Sequence, residues 1–302
     1  MQARVTVRTM VADDLADVSA IANEAFGVVV EQLSGHAVGQ PFFPPLMLPT
    51  RLNADPEGCL VAEDEAGVVI GALITATRGS LAWFGPLAVA TAAQGRGVGQ
   101  TLVGACVERW RARGVRLMGL ETFGHSDQHV YLYSKLGFRA SWTAVSLKRA
   151  LTPVESPDES LAGQQVEIDA APRNLDYLYP GLDLAAEARA ATAGLGATLA
   201  TGDGGFAILH TEPTFMQGRK GFLPFVAAPD QVSFGRLISA AERLSIARGL
   251  TSLEVNVPGG AWNALDALTA RSYRTGWTML RMKQGERPDY DRANIFYCDN
   301  WK

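Results

Sequence analysis

The sequence predicts an α/β protein built as two successive units, each a twisted mixed β-sheet flanked by helices. Strand-like and helix-like hydrophobic patterns alternate along the chain. A polar, proline-containing and acidic stretch, residues 151–163 (LTPVESPDESLAG), interrupts them near the middle. Beyond it the order of elements repeats. An offset of 135 lays Leu102-Val103 on Leu237-Ile238, Arg113-Gly114 on Arg248-Gly249, Val115–Thr122 on Leu250–Val257 and Phe138-Arg139 on Tyr273-Arg274. A period of that length indicates duplication of a whole domain rather than a solenoid. The expected divisions are residues 1–150, a linker at 151–163, and 164–302.

Composition agrees. The 302 residues suit two domains of about 150 each. With 47% hydrophobic and 19% charged residues, the chain is globular rather than disordered. Cys59, Cys106 and Cys298 are far apart and in no CxxC pair, which argues against a disulfide scaffold or a cysteine zinc site; no metal is expected. A net charge of −4 gives no electrostatic case for nucleic acid or an anionic membrane. The opening residues lack a basic-then-apolar signal region, and no apolar run approaches the ~18 residues of a membrane span. The chain reads as soluble and cytoplasmic.

The elements follow in order. Val5–Met10 is a short β-branched strand, and Asp13-Asp14 starts a helix with Leu15, Val18, Ile21, Ala22 and Ala25 on one face. Residues 35–56 carry five prolines, so they form a loop or broken helix, a candidate wall over a cleft. Cys59–Glu63 and Val68–Thr77 form a hairpin about the Asp64–Gly67 turn, and Leu81–Val89 is a buried strand. The Gln94–Gly99 turn opens a helix whose Leu102, Val103, Cys106, Val107 and Trp110 share a face, ended by Gly114. Val115–Thr122 is a strand, Ser126–Leu136 a helix, and Gly137-Phe138 opens a strand to about Leu147. In the second half, Thr198–Thr201 and Phe206–His210 mirror the first hairpin.

The segment LAVATAAQGRGVGQTL places a strand, a glycine-rich turn and a helix start in succession. A helix N-terminus presents unpaired N–H groups and partial positive charge, which suit a pyrophosphate. Glycines at 95, 97 and 99 permit close approach. No GK[ST] follows, so this is not a Walker loop, and the third glycine comes one residue early for a dinucleotide fold.

Gln94-Gly95-Arg96-Gly97-Val98-Gly99 matches the (Arg/Gln)-x-x-Gly-x-(Gly/Ala) motif of the GCN5-related N-acetyltransferase (GNAT) family. Leu87-Ala88-Val89 resembles that family's splayed fourth strand. Tyr133-Ser134-Lys135-Leu136-Gly137-Phe138 matches its second signature, Tyr-x-x-x-Gly-Phe. The resemblance covers about residues 3–150 and implies an acetyl-CoA site. Backbone N–H groups of Gly95, Arg96, Gly97, Val98, Gly99 and Gln100 would then hold the pyrophosphate, with Gln94 opening the turn. Leu87, Ala88 and Val89 would bond the pantetheine arm and set a donor by the thioester oxygen. Tyr133 occupies the position of the acid that protonates the departing thiolate, and a phenol stays protonated at neutral pH.

Two departures from the family pattern stand out. Ser126 replaces a common pantetheine-contacting Asn, and Trp83 stands where many members carry a Glu base. Glu121, His125 and His129 are the candidate substitutes. The implied activity is acetyl transfer from acetyl-CoA to a primary amine, more readily of a small molecule than of a protein. The alternatives are a non-catalytic acyl-CoA sensor or partner module, and a protein-lysine acetyltransferase. In the second half the offset puts Pro229, Asp230, Val232 and Phe234 in the turn and Leu268 at the place of Tyr133, so one working site per chain is expected. The oligomeric state stays open.

Overall fold

The computed structural model describes residues 5–34, 43–152, 166–214, 220–285 and 295–300. The first half runs β1 (Thr6–Thr9), α1 (Leu15–Ser34), α2 (Met47–Ala54), β2 (Leu60–Glu63), β3 (Val69–Arg78), β4 (Leu81–Val89), α3 (Val98–Ala112), β5 (Leu117–Thr122), α4 (Asp127–Lys135) and β6 (Arg139–Ala150). The second runs β7 (Val166–Ile168), α5 (Ala185–Ala190), β8 (Gly196–Thr201), β9 (Phe206–His210), β10 (Gly221–Ala228), α6 (Gln231–Ala247), β11 (Ser252–Pro258), α7 (Trp262–Ala270), β12 (Arg274–Gly285) and β13 (Phe296–Asp299). Thus α7 and β12 begin and end 135 residues after α4 and β6.

Local chemistry explains the starts and stops. Asp14 accepts the Val11 N–H at 2.8 Å and a two-toothed pair from Arg8, holding the chain as it enters α1. Of the proline-dense segment, residues 35–42 lie outside the described residues, and the part at 47–54 is helical. Pro49 fits there because it sits in the first turn, where its missing N–H would have had no intrahelical acceptor. The polar linker likewise lies mostly outside the described residues.

All the strands belong to one sheet, ordered β1-β2-β3-β4-β5-β12-β6-β11-β10-β9-β8-β7, with β13 on β10. The two sheets expected from the sequence are continuous because the halves exchange their late strands. β12 lies antiparallel on β5, with Arg281 opposite Glu121. β6 lies antiparallel on β11, with Ser146 opposite Asn256. β12 and β6 then pair with each other at the centre.

Helices α3 and α4 cover one face of the first half over Leu73, Phe84, Leu102, Trp110, Phe138 and Met282. On another face α1 and α2 pack over Val18, Leu48, Leu52 and Ile74. Leu81 and Trp83 join the second half's core instead, with Leu178, Tyr179, Leu184 and Ala188.

The feature that positions the site is a divergence of strands. β4 and β5 are parallel partners only from Leu81–Leu117 to Phe84–Leu120. Beyond Phe84, Leu87, Ala88 and Val89 pair with Leu73, Ala72 and Gly71 of β3 alone. Pro86 lies in that stretch and has no N–H to contribute to a ladder.

Candidate active site

The turn after β4 brings the predicted glycines to the mouth of this divergence. Gly95 and Gly97 adopt φ of 73° and 84°, a region glycine enters without the Cβ penalty. Gly97 is the N-cap of α3 and no side chain caps it. The first intrahelical bond runs from Thr101 N to Gly97 O at 3.0 Å. The N–H groups of Val98, Gly99 and Gln100 therefore lack intrahelical acceptors, and the positive end of the helix dipole is open. Gln94, Arg96 and Gln100 are exposed around the turn, while Val98 anchors it in the core. Gln94 Nε2 donates to the Val89 carbonyl at 3.1 Å, tying the turn to the strand end. A Cβ at Gly99 would meet Leu87, Val89 and Leu132 at 3.6–3.9 Å, so this turn, the free edge of β4 and α4 border one another.

Tyr133 sits at the vertex. Its ring lies 5.7 Å from that of Phe84, the last β4 residue paired with β5, and packs edge-on to Phe138. Its hydroxyl makes no hydrogen bond to a described residue. Burial pushes the phenol well above its ordinary value, so it holds its proton throughout the neutral range.

Ser126, His129 and Tyr133 follow one another along α4. Ser126 caps the helix with β-region dihedrals, and its Oγ lies 2.8 Å from His129 Nδ1. The His129 ring stacks on Tyr133 at 6.5 Å. Burial lowers the His129 pKa below the usual imidazole range, which leaves it neutral at pH 7. His125 is exposed and leans on Phe123, ring centroids 5.9 Å apart, away from this row.

Glu121 has a different setting. Its carboxylate is fully buried and bound by Arg281 at 2.6 Å; the same guanidinium holds Asp299 at 2.6 Å, and all three side chains are 0% exposed. Trp83 is also fully buried, with the Arg281 guanidinium 5.3 Å over its ring. Gly119 makes room for it, since a Cβ there would come within 2.1 Å of the indole. Sequence reasoning named Glu121 and Trp83 but missed Arg281 and Asp299, which come from the far half. Among the described residues no group of His, Cys, Asp or Glu could hold a metal ion, and no helix is long and apolar enough to cross a membrane.

The free strand edge, the open helix N-terminus and the buried tyrosine coincide with a family match. The acetyltransferase (GNAT) domain family matches residues 55–140, which span β2 through the start of β6. Those residues belong to the GCN5-related N-acetyltransferase family. The GNAT domain is also similar to curated and solved proteins. A mycothiol acetyltransferase from Propionibacterium freudenreichii is 28% identical over 171 residues, which are 52% of this chain. The match spans half (50%) of that protein's length. A Pyrococcus horikoshii protein described as an acetyltransferase shares the fold at TM-score 0.72 and 19% identity, over 98% of this chain and 95% of its own. A GCN5-related N-acetyltransferase from Sphaerobacter thermophilus aligns at TM-score 0.54 and 14% identity, over 94% and 96% of the two chains. Both likenesses extend past the GNAT domain into the second half.

Proposed function

We propose that the chain transfers an acetyl group from acetyl-CoA to a primary amine of a small molecule, with residues 1–150 as the catalytic unit and 164–302 as a degenerate copy joined by 151–163. The observation that carries this is the uncapped N-terminus of α3 beside the unpaired edge of β4, with Tyr133 at the vertex. The N–H groups at 98–100 suit a pyrophosphate. The backbone of Leu87–Val89 suits an extended amide-bearing arm, which would add to the sheet edge as a strand does. The resemblance to a mycothiol acetyltransferase favours a small-molecule acceptor.

Acetyl-CoA, as co-substrate, would supply the activated thioester carbonyl. The amine nitrogen bonds to that carbon and the carbon–sulfur bond breaks. Tyr133 gives its hydroxyl proton to the leaving sulfur. His129 takes the proton the amine sheds, with its Nδ1–H directed at Ser126 Oγ so that Nε2 is the acceptor. The imidazolium then returns a proton to the phenolate, leaving both groups as they began. Glu121 is not assigned this role, because its carboxylate is committed to Arg281, and His125 lies off the row.

Thiol release from acetyl-CoA against a panel of amino acids, polyamines, aminosugars and aminoglycosides tests the proposal. Acylation of at least one amine, with product mass raised by an acetyl group, is the expected result. CoA binding without turnover on any amine would favour an acyl-CoA sensor instead.

A further inference from the structure

In the second half, the strands corresponding to β4 and β5 also part, but the gap between them is filled. β10 and β11 are parallel partners from Gly221–Leu253 to Leu223–Val255. Pro224 follows, as Pro86 follows the last β4–β5 pair. From Phe225 to Ala228, β10 then pairs antiparallel with β13, Phe225 opposite Asp299 and Ala228 opposite Phe296. The Asn300 N–H donates to the Pro224 carbonyl at 2.7 Å. Tyr297, Cys298 and Asp299 are 0% exposed. An extended segment of the chain itself therefore lies along the edge that corresponds to Leu87–Val89.

β13 also reaches the first cleft. Asp299 holds Arg281, and Arg281 holds Glu121, which stands one residue past the last β5 residue paired with β4. A guanidinium between two carboxylates in a water-free site is strongly sensitive to loss of either partner. The backbone of Glu121 forms the β5 side of the opening, while its side chain points into this ion triad.

We propose that the second cleft is a strand-binding groove with β13 as its resident occupant, and that Arg281, held by Asp299, is a positioning residue that fixes Glu121 and the β5 wall of the first cleft. The proposal rests on reading the first cleft as the acetyl-CoA site. Its consequence is that the C-terminal strand completes a site in the other half of the molecule.

The test uses two full-length variants. Asp299→Asn keeps shape and a hydrogen-bond acceptor but removes the charge; Cys298→Pro removes an N–H from β13. Amide hydrogen exchange is followed in 117–122 and 296–299, alongside kcat and the Kd for CoA. In Asp299→Asn, β13 should stay protected, exchange at 117–122 should quicken about tenfold, and kcat should fall about tenfold with CoA affinity kept within about threefold. Cys298→Pro should lose β13 protection as well. Unchanged β5 exchange and kcat in Asp299→Asn would overturn the proposal, and that variant decides alone where Cys298→Pro does not fold. If the wild-type chain fails to bind CoA, the reading of the first cleft falls, while the exchange coupling from β13 to β5 still tests this inference.

Discussion

Three side chains show how burial sets proton chemistry in this chain. Tyr133 lies among Phe84, Phe138 and His129 with its phenol held protonated. Tyr133→Phe keeps the ring and its packing, so CoA affinity and folding should hold while kcat falls by about 10²–10⁴-fold, the usual contribution of a general acid. His129 must be neutral to take a proton, and burial lowers its pKa. The rate should therefore stay flat from neutral pH down to below the ordinary imidazole value and then drop as the ring is protonated. His129→Ala should lower the rate and abolish that acid limb; a limb that survives in the variant belongs to another group. His210 concerns stability alone. Burial first, then the positive charge of Arg51, pushes its pKa down to about 3, and its Nδ1 lies 2.6 Å from Thr214 Oγ1. The unfolded chain binds a proton at His210 below about pH 6.5 and the folded chain does not until about pH 3, so stability falls with pH inside that window. The slope from this residue is about 1.4 kcal/mol per pH unit. Denaturant midpoints measured from pH 7 to 5 should move accordingly, and His210→Gln should flatten the trend.

The two equivalent helices α3 and α6 begin differently. α3 starts at Gly97 with no side-chain cap, leaving its N–H groups to a ligand. α6 starts at Asp230, whose carboxylate accepts the Ser233 N–H at 2.9 Å, and Ser233 Oγ is bonded in turn to Asp203. A fixed carboxylate there satisfies the donor and repels a phosphate. Moving that feature to α3 gives a prediction. Asn and Asp both tolerate positive φ better than other side chains, so Gly97→Asn and Gly97→Asp should melt at similar temperatures. Calorimetry should show CoA binding lost in Gly97→Asp and weakened less in Gly97→Asn; equal affinities would mean that the pyrophosphate lies elsewhere. These helix starts were legible in the sequence because glycine turns and caps are local signals. α4, with Tyr133, was legible for the same reason. The opening between β4 and β5 rested on resemblance, since it depends on which neighbour each stretch of β4 pairs with. The setting of Glu121 was not legible at all, because its partners lie 160 and 178 positions onward in sequence.

At the scale of the molecule, exchange of β6 and β12 makes one sheet of two units. The sequence carried the duplication but not the exchange. β6 and β12 are equal in length and similar in pattern, one exposed at the start and buried later, so either could pair with β5 or β11 as far as local propensity goes. What selects the exchanged arrangement includes specific cross-half pairs. Arg281 meets Glu121, Ser146 Oγ donates to Glu254 at 2.9 Å, and Arg149 meets Glu242 at 3.0 Å. Once exchanged, the halves are tied together, yet their clefts are unequal. The first retains an open helix start, a free strand edge and a tyrosine. The second has Asp230 at the helix start, β13 along the strand edge, and Leu268, fully buried, at the place of Tyr133. Each difference removes a separate requirement of acetyl-CoA binding or transfer: pyrophosphate donors, a partner strand for the arm, and a proton for the thiolate. Restoring one would leave the others missing. Titration calorimetry on the intact chain should therefore give one acetyl-CoA per chain, and Gly97→Asp should leave none. A stoichiometry of two, or tight binding that survives in that variant, would show that the second half kept a site despite its capped helix and occupied strand edge.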